Sequence, residues 1–229
     1  MPTTARAILY SEELVRVAAA ITPFRLLLEG KMMAVLVGQA NREQHTGLLQ
    51  EMHQDRKRVF VDKLGWNVPV VDNLYEIDAF DTDEALYLIA VDPHTGAHMA
   101  SVRLLPTNKP HLMSEVFRNL CDEDVPSGPD IWEMTRLCTA PEVPSAIAPF
   151  VRGRLLLSLF EIAIEQGITK VTAVCHLKFL STLLSVGWDC MPLGLPREVD
   201  GEIAGAILIH VNAEALAILR DRFGAIAAA

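Results

Sequence analysis

Residues 131–139, Ile-Trp-Glu-Met-Thr-Arg-Leu-Cys-Thr, have the apolar and β-branched character of a strand. They nevertheless carry a carboxylate, Glu133, and a guanidinium, Arg136, three residues apart. Burying either charge alone is costly, so each must be paired or put to use. A binding cleft for a charged substrate is one place where that cost is recovered. The charges available to meet them lie far away in the sequence: Arg103 in Arg-Leu-Leu-Pro-Thr, and Asp78 and Asp81 in Glu-Ile-Asp-Ala-Phe-Asp. The chain must therefore bring distant segments onto this strand.

The flanking pattern supplies such segments. A buried strand is expected at 34–37. A helix follows, with Asn41 as N-cap, Gln44 as its capping-box partner and Gly65 as its stop. Residues 66–81 are polar, contain Pro69 and show no sustained period, so a long loop is expected. Strands at 86–91 and 97–105 flank Asp-Pro-His-Thr-Gly, a strong turn signal, and predict an antiparallel hairpin. A short helix at 114–120 precedes the 131–139 strand. Beyond it come a helix at 154–166 ended by Gly167, a strand at 170–174, a helix at 176–185 ended by Gly187, strands at 188–193 and 203–210 separated by a polar turn at 196–201, and a last helix at 213–222. This order predicts an α/β (α+β) fold, a mixed sheet with helices on both faces.

The chain has 229 residues, 51% of them hydrophobic, and a formal net charge of -9. A sizeable core is expected at that length. The acidic balance argues against general nucleic-acid binding, which needs a basic footprint. No apolar run reaches the roughly 18 residues of a membrane span. The apolar-rich segment 14–28 is broken by Arg16, Pro23 and Arg25 and lacks a signal-peptide pattern, so a cytoplasmic protein is expected. The pair Met32-Met33 just before the first strand suggests that residues 1–31 are an N-terminal extension outside a single domain at 32–229. Cys121, Cys138, Cys175 and Cys190 form no CxxC pair and are read as reduced, small buried hydrophobes. His94 and His98 are four apart but flank a turn, and they are read as solvated rather than as a metal-binding pair.

Several weak motifs need weighing. Arg56 and Phe60 are four apart on one helix face, and Trp66 lies just past the helix end. Together they could form a pocket for a ligand that is cationic and aromatic, although taken alone they are better explained by two core rings and a surface charge. Glu76, Asp78 and Asp81 repel one another unless a cation or hydrogen-bond donors sit among them. The alternatives are a solvated acidic loop or helix caps, and the spacing lacks the glycine and distal glutamate of an EF-hand. No dinucleotide fingerprint or P-loop is present. Gly153 is expected to open a helix between Arg152 and Arg154, a plausible phosphate seat.

Taken in order, Arg56-x3-Phe60-x5-Trp66, Asp78-x2-Asp81, Arg103-Leu-Leu-Pro and Glu133-x2-Arg136 resemble the acyl-homoserine-lactone synthases, the autoinducer synthases of bacterial quorum sensing. The resemblance runs from about Met33 to Gly224. It implies a GNAT-like mixed sheet split into a V. It also implies an acyltransferase that joins an acyl thioester to the amine of S-adenosylmethionine, then closes a lactone and releases methylthioadenosine. Both are substrates, and no cofactor or metal is implied.

On this resemblance Phe60 and Trp66 would contact the adenine or sulfonium. Asp78 and Asp81 would attract the amine and sulfonium or hold the loop, Arg56 would order that loop, and Arg103 would grip the substrate carboxylate bidentately. Glu133 would be the base for the amine, with Arg136 orienting it or stabilising the oxyanion. The donor would be acyl carrier protein or acyl-CoA, met by Arg152 and Arg154 with Lys170 and Lys178. The acyl pocket would be lined by Phe117, Leu137, Phe150 and the strand carrying Thr172, whose hydroxyl would favour a 3-oxo group. The competing possibilities are a GNAT-like N-acyltransferase acting on another amine and a non-catalytic acyl-ligand sensor.

Overall fold

A computed structural model describes residues 33–224. The expected extension at 1–31 lies outside the described residues. The chain builds an eight-stranded sheet from β1 (Met33–Val37), β4 (Leu86–Val91), β5 (His98–Pro106), β6 (Ile131–Thr139), β7 (Lys170–His176), β8 (Cys190–Pro192), β9 (Arg197–Val199) and β10 (Glu202–His210). The order across it is β1-β4-β5-β6-β7-β10-β8, with β9 also pairing β10. The strand Val70–Val71 (β2) and the strand Tyr75–Glu76 (β3) form a separate small hairpin.

Alternation along the strands sorts side chains onto two faces. Leu104 of β5, Met134 of β6 and Val171 and Ala173 of β7 join a core with the helix Ala148–Glu165, called α3. Tyr87 and Ile89 of β4 and Leu105 of β5 point the other way, into a core with the helix Thr46–Arg56 (α1) and the short helix Leu112–Glu115 (α2). Helix α1 is tied to the sheet by a buried contact, His98 Nδ1 to Asp55 at 2.8 Å. Helices α4 (Leu177–Leu184) and α5 (Ala213–Leu219) add to the α3-side core through Leu180, Leu183, Leu216 and Leu219. The expected mixed sheet with helices on both faces is the fold observed.

Among the described residues β6 and β7 are the parallel pair, and they stay in register only from Ile131–Lys170 to Met134–Ala173. Beyond that pair the strands part, leaving residues 135–139 and 174–176 as the two arms of a V. Crossing from β6 to β7 through α3 is what parallel pairing requires.

Some local expectations fail for identifiable reasons. The first helical segment begins at Gly38, not Asn41: Asn41 sits a turn inside a 3-10 stretch and accepts the Gly38 N–H at 2.9 Å. The loop at 66–81 contains the β2–β3 hairpin, whose turn residues Asp72 and Asn73 both have positive φ (53° and 58°). Asp-Asn supports that turn less recognisably than Asn-Gly. Strand β9 is not among the expected strands, although Asp200-Gly201, with φ of 50° and 83°, is a two-residue hairpin signal. Finally, α3 starts at Ala148, with Pro149 in its first turn, so Gly153 does not open a helix. It lies inside one, where a Cβ would come within 2.3 Å of the Phe223 ring. The phosphate seat expected there does not exist.

Candidate active site

Arg103 of β5, Thr135 of β6 and Glu133 of β6 alternate onto the α1/α2 face of the sheet. Regular alternation would send Arg136 to the opposite face, into the apolar core under α3. A bulge prevents this. Between the pairs Ser101–Cys138 and Arg103–Thr135, β6 carries two residues, Arg136 and Leu137, against Val102 alone. Arg136 takes a left-handed conformation, φ 51°, unusual for a non-glycine residue and a form of local strain. Its guanidinium thereby joins Arg103 on the α1/α2 face, while Leu137 drops into the α3-side core. Bulges re-aim side chains in this way.

Three guanidiniums and three carboxylates then interlock. Arg56, at the end of α1, donates Nε to Glu76 at 2.6 Å and its two Nη groups to Asp81 at 2.8 and 3.0 Å. Arg103 donates Nη1 and Nη2 to Asp78 at 2.6 and 3.0 Å and Nε to Thr135 at 3.0 Å. Its Nη1 also lies 2.9 Å from Asp81. Arg136 reaches Glu76 and Asp78, the latter at 2.7 Å. Tyr87 donates its hydroxyl to Asp81 at 2.8 Å. Formal charges cancel within the group, which is how so many buried ions are tolerated. Burial opposes ionisation of Asp81, yet the neighbouring Arg56 and Arg103 hold its carboxyl far below the usual range.

This geometry revises two expectations. Arg103 is 1% exposed, and the carboxylate it grips bidentately is Asp78 rather than an open position for substrate. Asp78 and Asp81 are likewise committed to arginines and to the loop's own N–H groups, with Asp81 accepting from Asp78 N at 2.8 Å. The pairing of Arg56 with the acidic loop is present. Glu76, Tyr87 and Thr135 also belong to the network, outside the expected site residues. Glu76 was visible as the third acid of its cluster, whereas Tyr87 and Thr135 carry no signal beyond ordinary strand residues.

Above this wall, Phe60 and Trp66 stack on each other with centroids 4.7 Å apart and planes 8° from parallel. The Arg136 guanidinium lies 5.9 Å from each ring, a cation–π arrangement. A π-helical stretch, Lys57–Lys63, continues α1 and sets this placement, closing on the bond from Trp66 N–H to the Phe60 carbonyl at 2.8 Å. No ligand fits between the two rings. Phe60 is buried, but Trp66 is 44% exposed and offers its outer side.

Glu133 differs from every carboxylate in the network. It is fully buried, and neither oxygen completes a hydrogen bond. Burial pushes its pKa up to about 7, against the opposing pull of the Met113 and Leu112 N–H groups, which lean toward it short of bonding geometry, and of Arg103 and Arg136. Its register partner across the base of the V is Thr172, also fully buried with an unpartnered hydroxyl. Other buried polar atoms also lack a partner, Ser101 Oγ, His98 Nε2 and His111 Nε2 among them, but Glu133 and Thr172 are direct register neighbours, and two such groups together mark a place shaped for a polar group that arrives from outside.

Residues 39–219 match the model of the autoinducer synthase family. The chain belongs to the autoinducer synthase family. Isovaleryl-homoserine lactone synthase of Bradyrhizobium diazoefficiens is 29% identical to this synthase over 191 residues, covering 82% of the chain and 84% of the relative. Among solved structures, the CoA-dependent acyl-homoserine lactone synthase BjaI, with SAM and isopentyl-CoA, superposes with a TM-score of 0.78 at 27% identity, covering 86% of this chain and 91% of that one. The CoA-dependent synthase MesI gives 0.76 at 33% identity, covering 86% and 97%. A putative N-acetyltransferase from Lactobacillus plantarum shares the fold alone, with a TM-score of 0.53 at 19% identity, covering 79% and 98%.

The remaining candidate residues of the synthase divide around the V. Thr172 is on the α1/α2 side, and Phe117 packs there as well. Leu137 and Phe150 pack into the core under α3. The four therefore do not line one wall, and the open V is where their two sides meet. Arg152 stands at its open end, donating to the Thr139 hydroxyl at 3.3 Å, half-buried, its pKa lowered by burial. Lys178 begins α4 on the β7 arm. Arg154 instead donates to the Phe223 and Gly224 carbonyls, and Lys170 pairs with Ile131 at the closed end. Neither of these two borders the mouth.

Proposed function

We propose that this chain is an acyl-homoserine-lactone synthase that takes its acyl group from acyl-CoA and transfers it to the amine of S-adenosylmethionine. The observation that carries the assignment is Glu133: a buried, unpartnered carboxylate with a pKa near 7, at the base of the V and beside a wall of arginines and acids. An α-ammonium with pKa near 8 must lose a proton before it can attack a thioester carbonyl, and a base of pKa about 7 is matched to that task near neutral pH. Glu133 takes the proton. The amine nitrogen bonds the carbonyl carbon, the tetrahedral intermediate collapses with cleavage of the carbon–sulfur bond, and the sulfur leaves as a thiol carrying the second amine proton. The carboxylate oxygen then attacks the γ-carbon, the carbon–sulfonium bond breaks, and methylthioadenosine departs. For this second step positioning matters more than acid catalysis, because the sulfonium is already a good leaving group.

Arg136, the network arginine that touches both rings, is assigned to the S-adenosylmethionine carboxylate. Trp66 is assigned to the adenine or sulfonium. Arg56, Arg103, Asp78 and Asp81 form the rigid wall behind them. Thr172 is assigned to a 3-oxo oxygen, and Arg152 with Lys178 to the phosphates of the donor. CoA is favoured as donor because both BjaI and MesI are CoA-dependent. The reaction needs no metal or cofactor. No described helix is long and apolar enough to cross a membrane, and the cytoplasm is the proposed location.

Incubation of the full chain with S-adenosylmethionine and a panel of acyl-CoA and acyl-carrier-protein thioesters, with products read by mass, tests this. Methylthioadenosine and an acyl-homoserine lactone are expected together. An N-acylated product without methylthioadenosine would instead assign an ordinary acyltransferase, and binding without turnover a sensor.

A further inference from the structure

Helix α2 runs only from Leu112 to Glu115, and its first N–H groups have no acceptor inside the helix. Those of Leu112 and Met113 lean toward Glu133. Packing directs them there, because Leu112 shares a core with Leu105, the register partner of Glu133. So short a helix does not hold itself in place. The loop before it is anchored at its start by Thr107, whose hydroxyl donates to the Ile131 carbonyl at 2.8 Å and accepts the Gly128 N–H at 3.1 Å. The outer side of that loop is not packed: a depression of about 300 Å³ lies between residues 107–111, the end of α2, and Val125 with Ser127. At the other end of the loop stands His111. Its ring is buried, and Nδ1 lies 2.8 Å from the Lys109 carbonyl. A carbonyl only accepts, so Nδ1 carries the proton. Nε2 is buried without a partner. An apolar ring would avoid that cost, so what the imidazole adds is the Nδ1 bond. The main chain is tied as well. The His111 N–H donates to the Ser114 hydroxyl at 3.1 Å, and that hydroxyl donates back to the His111 carbonyl at 3.0 Å.

We propose that His111 is a positioning residue for the Glu133 base: its bond to the Lys109 carbonyl fixes the entry into α2 and so holds the Leu112 and Met113 N–H groups toward the Glu133 carboxyl. This rests on the function proposed above. Donors that face a carboxyl favour its ionised form, so withdrawing them raises its proton affinity. Arg103 of β5 and Arg136 of β6 act on Glu133 in the same direction as these N–H groups, and burial acts against them. The Cys121 thiol, just past the turn Arg118–Leu120, is the further ionisable group that feels the Glu133 charge. Around His111 the charged groups are Lys109, which pairs with Glu84, and Glu115, which accepts from the Ser114 hydroxyl. The two N–H groups are thus the part of the balance at Glu133 that a side chain outside the arginine–carboxylate network controls.

The full chain and its variants are assayed across pH with S-adenosylmethionine and the acyl-CoA that the native chain turns over fastest, following methylthioadenosine. His111→Phe keeps the bulk of the ring and removes the Nδ1 bond. It should move the acid limb of kcat/KM upward by about 0.5–1 pH unit. His111→Asn returns an N–H donor near the position of Nδ1 but leaves a gap beside it. It should keep the native limb even as its Tm falls. A merely structural role would instead lower Tm in both variants and leave the limb in place. Should His111→Phe fail to fold, Ser114→Ala is the measurement, and it should move the limb the same way by less. Carbon-13 NMR titration of the glutamate-labelled, substrate-free chain, with the Glu133 signal assigned by its absence in Glu133→Gln, should show the same upward movement without any turnover. A limb and a carboxyl titration unmoved by these substitutions, in an enzyme that still releases methylthioadenosine, overturn the role of His111 alone. No methylthioadenosine from any thioester with the native chain overturns the function itself, and the part of His111 in it.

Discussion

Glu133 contributes nothing to the fold by being charged. Its pKa of about 7 lies above the ordinary 4.5, so between these values the folded protein keeps a proton that the unfolded chain has released. The stabilisation linked to that proton is fully present below pH 4.5 and is lost as pH rises through 7. Glu133→Gln should therefore leave stability near the native value at pH 4.5 and raise it increasingly above that, by on the order of 3 kcal/mol at pH 8. Paired denaturant titrations of the two proteins at several pH values measure this. The same substitution should lower kcat on the order of 10²- to 10⁴-fold and remove the acid limb near pH 7 from the kcat/KM profile. The arginines should separate by role. Arg103→Ala removes the bidentate partner of Asp78, leaving it only the single Arg136 contact, and takes one of two arginines from Asp81, so it should cost on the order of 3–5 kcal/mol. Arg136→Ala leaves Glu76 with Arg56 and Asp78 with Arg103, so its stability loss should be smaller, while the KM for S-adenosylmethionine rises steeply. Urea midpoints beside initial rates would distinguish them.

The elements were more legible than the contacts they make. Strands β4 and β6 run as their apolar content dictates, and the Asp-Pro-His-Thr-Gly turn announces the β4–β5 hairpin. Arg136 was recognisable as a chemical residue, but the bulge that turns it onto the Glu76 side was not, because that geometry depends on how β6 pairs with β5. The pairing of Arg103 with Asp78 was hidden for the same kind of reason. A guanidinium that would suit a substrate carboxylate suits an aspartate equally well, and only the folded loop shows which it meets. Phe60 and Trp66 were visible as a ring pair, but their mutual stacking follows from the π-helical stretch after Arg56. Gly153 was misjudged because a glycine near arginines looks like a helix opening, whereas here it admits the Phe223 ring against α3. Gly153→Ala should press on that ring and cost about 1–3 kcal/mol, read as a fall in Tm with the relative rates for different acyl donors unchanged.

Across the molecule, the net charge of -9 coexists with a buried cluster whose own charges cancel. That cluster sets the acid sensitivity. The Asp81 carboxyl is held well below its ordinary value by Arg56 and Arg103, so its stabilisation is present above pH 3.8 and is lost as pH falls toward the depressed folded value. Stability should drop as the pH is lowered below about 4, and Asp81→Asn should flatten that slope while lowering stability at pH 7, as denaturant titrations at each pH would show. The sheet itself has two parts, β1-β4-β5-β6 and β7-β10-β8, and the main-chain bonds joining them are those of the short parallel register between β6 and β7. Every member of the buried charge network lies on the earlier-made part; the opposing wall arrives only after α3 has been synthesised and has folded back. A nascent chain leaving the ribosome thus carries its proton acceptor and its salt lattice long before it owns a groove in which a fatty tail can lie.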